Sequence, residues 1–532
     1  MLHLFIYTLA FLIIGLWLGL KVLRFRLFPQ EFLYILSIAS SLLIFYALFF
    51  VYLASPDTGH ELTIAFIAYS PLALWSLIQT VRRQPAQLKF IRNYFLPPLA
   101  ITAVVFFMYS GLLYGCRYGV GTFDPRRPAN NTFCSIREFP LDNGLPEMYG
   151  AFVLKHEPKD LVIDWSIADR PPLQIGATIP VQDLNPTAQP STISNFYNLF
   201  SIFLQLSWIG VVWAIFQRFK IRRRYQVVLF VGFCATGFFY LNSVFVWPKL
   251  LAAALTVAGM APFIGTPLTR KLLRFLPVGL GLIALGLEAH GGVIFTIIPF
   301  ACFLVYKFLK LGPIDRSDYK PIIAAIIILL AIMVPWQAYS SSITTSNRLV
   351  KYQFANVTEA SDKRGTIKTL IDAYTNLTPG EWAHNKLQNL RTLIDGTGNE
   401  GFIYICPIDH VVASRDECAK QRDLAFFSTL FSIESFVFGT IFLIYQAVKR
   451  QLDKFDKEAL IIISAYLILW VLLMFAPGST VVHQGSYATE ILMFLLAGRA
   501  IYRSSPRFLS ILVAAQLIIF YAAWIHPFPY FS

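Results

Sequence analysis

Charge is scarce in this chain. Lys, Arg, Asp and Glu make up 14% of its 532 residues, where a soluble domain devotes about a quarter of its positions to them. That shortage, beside 56% hydrophobic and 16% aromatic content, excludes an ordinary water-soluble fold. Strict polar–apolar alternation is also missing, which excludes a transmembrane β-barrel. There is no Walker-type glycine loop and no Rossmann fingerprint, so a nucleotide or nucleotide-sugar pocket has no sequence support. Basic residues outnumber acidic ones, 44 to 30, but they are scattered over short loops and form no extended face, which argues against nucleic acid as a partner. Cysteines number six and no pair has the CxxC spacing of a common zinc site. Internal repeats and low-complexity tracts are absent.

What is present is a succession of apolar runs, each long enough as a helix to cross about 30 Å of hydrocarbon. Helices or closed barrels alone satisfy their backbone there, and the runs are continuous rather than alternating. They fall at 2–20, 31–53, 62–80, 95–114, 197–216, 226–243, 249–266, 275–290, 292–308, 320–338, 424–446, 459–476, 486–501 and 507–525. The expected fold is thus an all-α integral membrane protein of about fourteen transmembrane helices. Lys and Arg cluster at Lys21/Arg24/Arg26, Arg82/Arg83, Arg218/Lys220/Arg222, Arg270/Lys271/Arg274, Lys307/Lys310, Lys449/Arg450/Lys454 and Arg503/Arg507. Each cluster follows an odd-numbered span, so all of them share one face. The positive-inside tendency makes that face cytoplasmic and places both termini and both long polar loops outside. The formal charge of +14 is then mostly topogenic, and membrane lipids are partners that also attract it. The first span has no basic segment before it and no Ala-x-Ala-like site after it, so it is expected to be a retained helix.

Six regions follow from this topology. Residues 1–94 form an N-terminal three-helix extension, 95–114 the first helix of a membrane core, 115–196 a first extracytoplasmic loop, 197–338 the body of the core, 339–423 a second extracytoplasmic loop, and 424–532 the C-terminal helices. The two loops are expected to pack together as a small cap. Cys116 and Cys134 lie in the first loop and Cys406 and Cys418 in the second. Two local disulfides are the natural reading in an oxidising compartment, with four free thiols as the alternative. Cys234 and Cys302 fall within spans and read as packing residues.

In the first loop, Leu145, Met148, Phe152 and Val153 are spaced for an amphipathic helix over Pro140–Leu154 that lies on the bilayer, with Asp142 in a capping position. Pro171-Pro172 imposes an extended turn directly after Asp169-Arg170. In the second loop, Ile367–Leu377 and Glu381–Leu393 are predicted helices separated by Thr378-Pro379-Gly380. The short outer turn Ser55–Glu61 carries Asp57, His60 and Glu61 and reads as a helix cap or the edge of a vestibule.

Ionisable groups concentrate at the outer ends of the spans: Lys249 in Val246-Trp247-Pro248-Lys249-Leu250, Glu288 and His290 in Glu288-Ala289-His290-Gly291-Gly292, and His483 in His483-Gln484-Gly485-Ser486-Tyr487. Snorkelling and core packing are the bland readings of such residues. Together with the loop carboxylates they are what glycosyl transfer from a polyprenyl-phosphate donor needs. A carboxylate deprotonates the acceptor hydroxyl, and cations stabilise the departing phosphate. Asp142 and Asp169 are the candidate bases, Arg170, Lys249 and His290 the candidate phosphate ligands, and Asp164, Trp165, Glu288, His483 and Tyr487 the candidate substrate contacts. No metal-ligating set is assigned and no cofactor is certain, with a divalent metal left open.

The fourth span rising into a long outer loop with early acidic residues resembles the opening of the GT-C class of polytopic glycosyltransferases. Asp142-Asn143-Gly144-Leu145-Pro146, Ala168-Asp169-Arg170-Pro171-Pro172-Leu173-Gln174, Trp247-Pro248-Lys249-Leu250 and His483-Gln484-Gly485-Ser486-Tyr487 are similar to segments of a bacterial group with GT-C-like topology. The resemblance covers about residues 95 to 525. It implies a catalytic carboxylate in the first loop, a lipid-linked sugar donor, an extracytoplasmic glycan, lipid or protein acceptor, and a bacterial inner membrane. The tandem acidic pair common in that class is replaced by Asp142-Asn143 and Asp169-Arg170, which leaves both aspartates as candidates. An O-antigen-type polymerase or ligase, using an undecaprenyl-pyrophosphate donor, would instead rely on loop arginines such as Arg364, Arg391, Arg415 and Arg422. A transporter or lipid flippase would need broken helices and ionisable groups at mid-membrane, and a non-catalytic scaffold would leave the polar span ends without a role.

Overall fold

Without water to satisfy its peptide groups, an apolar chain in a bilayer must close its hydrogen bonds within each segment. The fold, obtained as a computed structural model, is helical among the described residues apart from one two-residue ladder. It describes residues 1–115, 141–157, 161–162, 165–166, 170–312, 315–343, 348–357, 364–395, 438–475 and 487–521. The chain opens with α1 (Leu2–Arg24), α2 (Leu33–Ala54) and α3 (Pro56–Arg83). Ser55 caps α3 by accepting the Thr58 N–H at 3.3 Å, and Pro56 fills its first turn. Asp57, His60 and Glu61 therefore ride on α3. Next, α4 (Pro85–Phe90) passes through a π turn at Ile91–Phe95 into α5 (Leu96–Gly115). A 3-10 turn at Leu141–Gly144 leads into α6 (Leu145–Leu154), followed by β1 (Leu161–Val162) paired antiparallel with β2 (Trp165–Ser166).

The membrane core is built from α7 (Leu173–Asp183), α8 (Pro190–Gln205), α9 (Trp208–Arg218), α10 (Arg223–Cys234), α11 (Gly237–Val244), α12 (Lys249–Met260), α13 (Arg270–Leu273), α14 (Leu276–Ala289), α15 (Ile294–Leu309) and α16 (Arg316–Ile343). The second outer segment supplies α17 (Arg348–Ala355), α18 (Thr366–Thr375) and α19 (Pro379–Asp395), close to the predicted pair. The described chain ends with α20 (Phe438–Val448), α21 (Lys454–Leu473), α22 (Tyr487–Ser504) and α23 (Pro506–Phe520).

Seven of the described helical segments are long and apolar enough to cross a membrane: Leu2–Arg24, Gln30–Ala54, Pro56–Arg83, Pro85–Leu113, Pro190–Arg218, Gly291–Leu309 and Asp318–Ile343. A further pair, α10 and α11, passes the same test jointly but bends by 71°. The other expected spans fall on shorter or more charged helices, α12, α14 and α20 to α23. The protein is thus an all-α, multi-pass membrane protein. Small residues let its helices approach closely. A Cβ on Gly259 of α12 would lie 2.4 Å from the Gly279 carbonyl oxygen of α14, so those two backbones are in contact.

The charge clusters meet at one end of the bundle. Lys307 on α15 donates to Glu458 on α21 at 2.7 Å and to the Phe263 and Thr266 carbonyls beyond α12. Arg218, at the end of α9, donates to the Ala261 carbonyl there. Arg499 on α22 pairs with Asp453 and Asp456 at the start of α21, and Arg503 reaches Asp456 at 2.8 Å. Burial, with the neighbouring Asp453 carboxylate, holds the Asp456 carboxyl above its usual range in spite of Arg499 and Arg503. The ends of α9, α12, α15 and α22 and the beginning of α21 thus share a face, as the alternation of basic clusters required.

The first polar segment departs from the picture of a surface loop. Every residue from Leu173 to Gln182 in α7 is buried, and α7 packs against α2, α6, α8 and α14. Tyr7 on α1 donates to the Ala177 carbonyl at 2.7 Å. A Cβ on Gly176 would lie 2.4 Å from the Phe45 carbonyl oxygen on α2. The N-terminal helices are therefore joined to the core through α7. The predicted amphipathic helix exists as α6, but Leu145, Tyr149 and Val153 are buried against this core. Gly144, not Asp142, holds its N-cap position.

Candidate functional site

The site grows from a break in the membrane core. Between α11 and α12 the chain runs non-helically through Phe245-Val246-Trp247 to Pro248, and the peptide groups freed there need partners away from water. Neutral amides provide them. Asn143, in the turn before α6, accepts the Val246 N–H at 2.8 Å, and Gln174 on α7 donates to the Val246 carbonyl at 2.7 Å. Gln205 on α8 donates to the Gln174 side-chain carbonyl at 2.8 Å and accepts the Leu251 N–H at 3.1 Å. Pro248 occupies the N-cap of α12 and has no side chain able to cap, so Gln205 caps the helix from a neighbour. Asn143, Gln174 and Gln205 are all buried. None was a candidate on sequence grounds. Their only signal was an amide inside or beside an apolar run.

This scaffold assembles several predicted residues. Arg170, three residues before α7, lays its guanidinium 4.4 Å from the Trp247 ring, and the His290 ring lies 6.1 Å from the same indole. The buried Lys249 begins α12, with its ammonium 5.3 Å from the Tyr487 ring at the start of α22. Lys249 and Arg170 are the charges acting on the His290 ring. Tyr487 donates to Asn242 at 2.9 Å, which ties α22 to α11. His290 bridges α14 to the turn before α15, and its Nδ1 accepts the Gly292 N–H at 3.0 Å. The proton of the neutral ring is then on Nε2. Glu288, two residues earlier and 1% exposed, has an Oε2 without a hydrogen-bond partner among the described residues. The buried Trp247 Nε1 and Ser243 Oγ on the same stretch also lack one there.

Asp142 lies on the 3-10 turn adjacent to Asn143, so its backbone is carried to this break. Trp165 belongs to β2. Asp164, Asp169 and His483 lie outside the described residues, as do the four loop cysteines Cys116, Cys134, Cys406 and Cys418 and the arginines Arg415 and Arg422. Cys234 is buried in the core as a free thiol, and Cys302, also free, faces outward from α15. Arg364 pairs with Asp372 of α18 at 3.1 Å. Among the described residues no group of three or more His, Cys, Asp or Glu is placed to hold a metal ion.

The second loop reaches the same end of the bundle. Tyr374 on α18 donates to the Leu473 carbonyl at 2.9 Å, and Lys386 and Asn389 on α19 donate to the Met474 carbonyl at 2.6 Å each. These are the terminal carbonyls of α21. Phe354 on α17 packs against a cluster of Phe295, Tyr466, Trp470 and Met474. Phe295 follows His290 by five residues, so both loops adjoin the end that carries the cations.

Convergent cations on aromatic faces, with a buried carboxylate close in sequence, suit an anionic ligand that carries polar and planar or sugar-like groups. No protein-family model, no curated protein and no solved structure matches this chain.

Proposed function

We propose that the protein is a membrane glycosyltransferase of GT-C type, with about fourteen spans and its cation-bearing end outside the cytoplasm. It moves a sugar from a polyprenyl-phosphate donor to an extracytoplasmic glycan, lipid or protein acceptor, in a bacterial inner membrane. The observation that carries this reading is the convergence of Arg170, Lys249 and His290 on the Trp247 break at the membrane end where the first loop docks. In this mechanism Arg170 and Lys249 hold the donor phosphate and stabilise its charge as the sugar–oxygen bond breaks. His290, with Nε2–H, donates a hydrogen bond to the same group. Asp142 takes the proton of the attacking hydroxyl, with Asp169 as the other candidate. Trp247 and Tyr487 give apolar faces for the sugar. A small lateral groove of about 30 Å³ between α10, α22 and α23, lined by Leu229, Phe233, Phe494 and Val513, offers the hydrocarbon tail an apolar foothold and does not enclose it. Phe494 touches Phe238 at 5.5 Å, which touches Tyr487 at 5.0 Å, so the groove is one aromatic layer from the site.

The test is transfer of radiolabelled sugar from polyprenyl phosphate by the purified chain in vesicles. Asp142→Asn at unchanged expression is expected to lower the rate by about 10²-fold or more, the scale of general-base loss, with donor binding retained. Arg170→Gln and Lys249→Gln should weaken donor binding. Full activity in Asp142→Asn moves the base to Asp169, and full activity in both Asp→Asn variants refutes a loop carboxylate. Two observations favour a second reading, transport: the 71° bend between α10 and α11 and the buried Glu288. Counterflow of a labelled lipid or sugar across vesicles, abolished by Glu288→Gln without any covalent transfer, would establish it.

A further inference from the structure

The two helices α18 and α19 are amphipathic in the sense opposite to that of a water-facing cap. On α19, Lys386 and Asn389 are buried and bonded to the end of α21, whereas Leu387 and Leu390 are 63% and 43% exposed. On α18, Thr369 is buried and Ile367 and Ile371 are 75% and 56% exposed. The exposed residues sit four apart on α18 and three apart on α19, so each helix offers a continuous apolar stripe rather than scattered side chains. An aqueous cap would turn these stripes inward and the lysine outward.

The depth of the pair is fixed by what its polar side holds. Tyr374, Lys386 and Asn389 all bond to the Leu473 or Met474 carbonyl, where an apolar helix leaves its last peptide groups unpaired. The stripes therefore lie level with the end of α21, beside its own exposed Ile468 and Leu472. Trp382, 40% exposed at the start of α19, is a residue type that gathers at that depth. Lys368 stands exposed beside Ile367, as a cation does near lipid phosphate.

We propose that α18 and α19 form an interfacial hairpin whose apolar stripes are immersed in the outer headgroup and acyl boundary of the bilayer, so that their partner is the lipid surface. The second loop is then anchored twice, to the end of α21 by its polar side and to lipid by its apolar side. This holds it against the membrane beside the His290 end of the bundle, whatever reaction occurs there.

The experiment places a photoreactive p-benzoylphenylalanine at Ile371, Leu387 or, as a control, His384, which is exposed on the polar flank that it shares with Gln388, off the apolar stripe of α19. The full-length protein is reconstituted into vesicles of phosphatidylethanolamine and phosphatidylglycerol, irradiated and analysed by mass spectrometry. Lipid adducts at Ile371 and Leu387 should exceed those at His384 several-fold. Cross-links to another protein chain, or lipid adducts no more abundant than at His384, would overturn the proposal. Hydroxyl-radical footprinting of the unsubstituted chain in the same vesicles needs no variant to fold. There Ile371 and Leu387 should be protected several-fold relative to detergent solution, and oxidation equal in the two media would overturn it as well.

Discussion

Gln174 and Gln205 make a quantitative test of how the break before α12 is held. Replacing Gln174 by Met keeps much of the side-chain shape but strands two closely bonded groups, the Val246 carbonyl and the Gln205 amide nitrogen, and gives up two long contacts, 3.3 Å to the Tyr197 hydroxyl and 3.4 Å to the Ser201 hydroxyl. Gln205→Met also strands two, the Gln174 amide oxygen and the Leu251 N–H. A buried polar group without a partner costs about 1–3 kcal/mol, so each single variant should lose about 2–6 kcal/mol. The double variant removes both members of the side-chain pair and leaves only Val246 and Leu251 stranded. It should also lose about 2–6 kcal/mol, well short of the about 4–12 kcal/mol that additivity would give. Thermal unfolding of the full-length chain in detergent, followed by size-exclusion fluorescence, compares the three variants, and hydrogen exchange over 244–251 locates the effect. A double variant as damaging as the two singles summed, or unchanged exchange across the break, would refute the network.

Three further outcomes follow from the packing and the charges. Gly176→Ala should lower the melting temperature measurably, at about 1–3 kcal/mol for forced overpacking, because the Phe45 carbonyl opposite is backbone and cannot rotate away; an unchanged melting temperature would show that α2 and α7 separate easily. Lys307→Met should cost about 3–5 kcal/mol, because it takes the close cation from a buried Glu458, which keeps only the Gly265 N–H and the more distant Lys454, and leaves the Phe263 and Thr266 carbonyls without their donor. Lys454→Met should cost less than about 1 kcal/mol, since Lys454 is exposed and 3.8 Å from the same carboxylate; equal losses would deny the distinction.

Much of the architecture follows from two simple signals, apolar run length and the side on which Lys and Arg fall. Lys307 and Arg503 meet the acidic start of α21, and Arg218 bonds the Ala261 carbonyl two residues from the Phe263 carbonyl that Lys307 holds, so the basic clusters after the expected fifth, ninth and thirteenth spans share an end. Thr378-Pro379-Gly380 divides α18 from α19 because Thr378 caps α19. The Glu381 N–H bonds to the Thr378 hydroxyl at 3.3 Å, and the Glu381 carboxylate accepts the Thr378 N–H at 2.9 Å. Those reciprocal contacts are a local pattern that residue types reveal. The burial of α7 was not legible. Leu173–Val181 is only nine residues long, it begins after two prolines, Gln174 and Thr178 interrupt it and Gln182 follows it, so hydropathy alone assigns it to a polar loop. Those polar residues are compatible with burial because each has a partner: Gln174 at Val246, Thr178 at the Gln174 carbonyl of its own helix, Gln182 at the Glu147 carbonyl.

The same circumstance explains why the ionisable half of the site was foreseeable and its support was not. Titratable side chains near a membrane stand out against their surroundings, and Lys249, His290 and Arg170 could be proposed singly. Neutral amides do not stand out, yet Asn143 and Gln174 decide where the cations are. Asn143 fixes Val246, the peptide after it carries Trp247 under Arg170, and Lys249 begins the next helix. Asp142 is joined to that chain by a single peptide bond, so a base at this position would be held in register with the Arg170 and Lys249 cations through the backbone itself. If that is how the first loop contributes, Gln174→Met should reduce turnover in proportion to the loss of exchange protection at 244–251, and donor binding should weaken with it. A variant that loses turnover while the break stays protected would separate the loop from the cations and leave Asp142 outside the site.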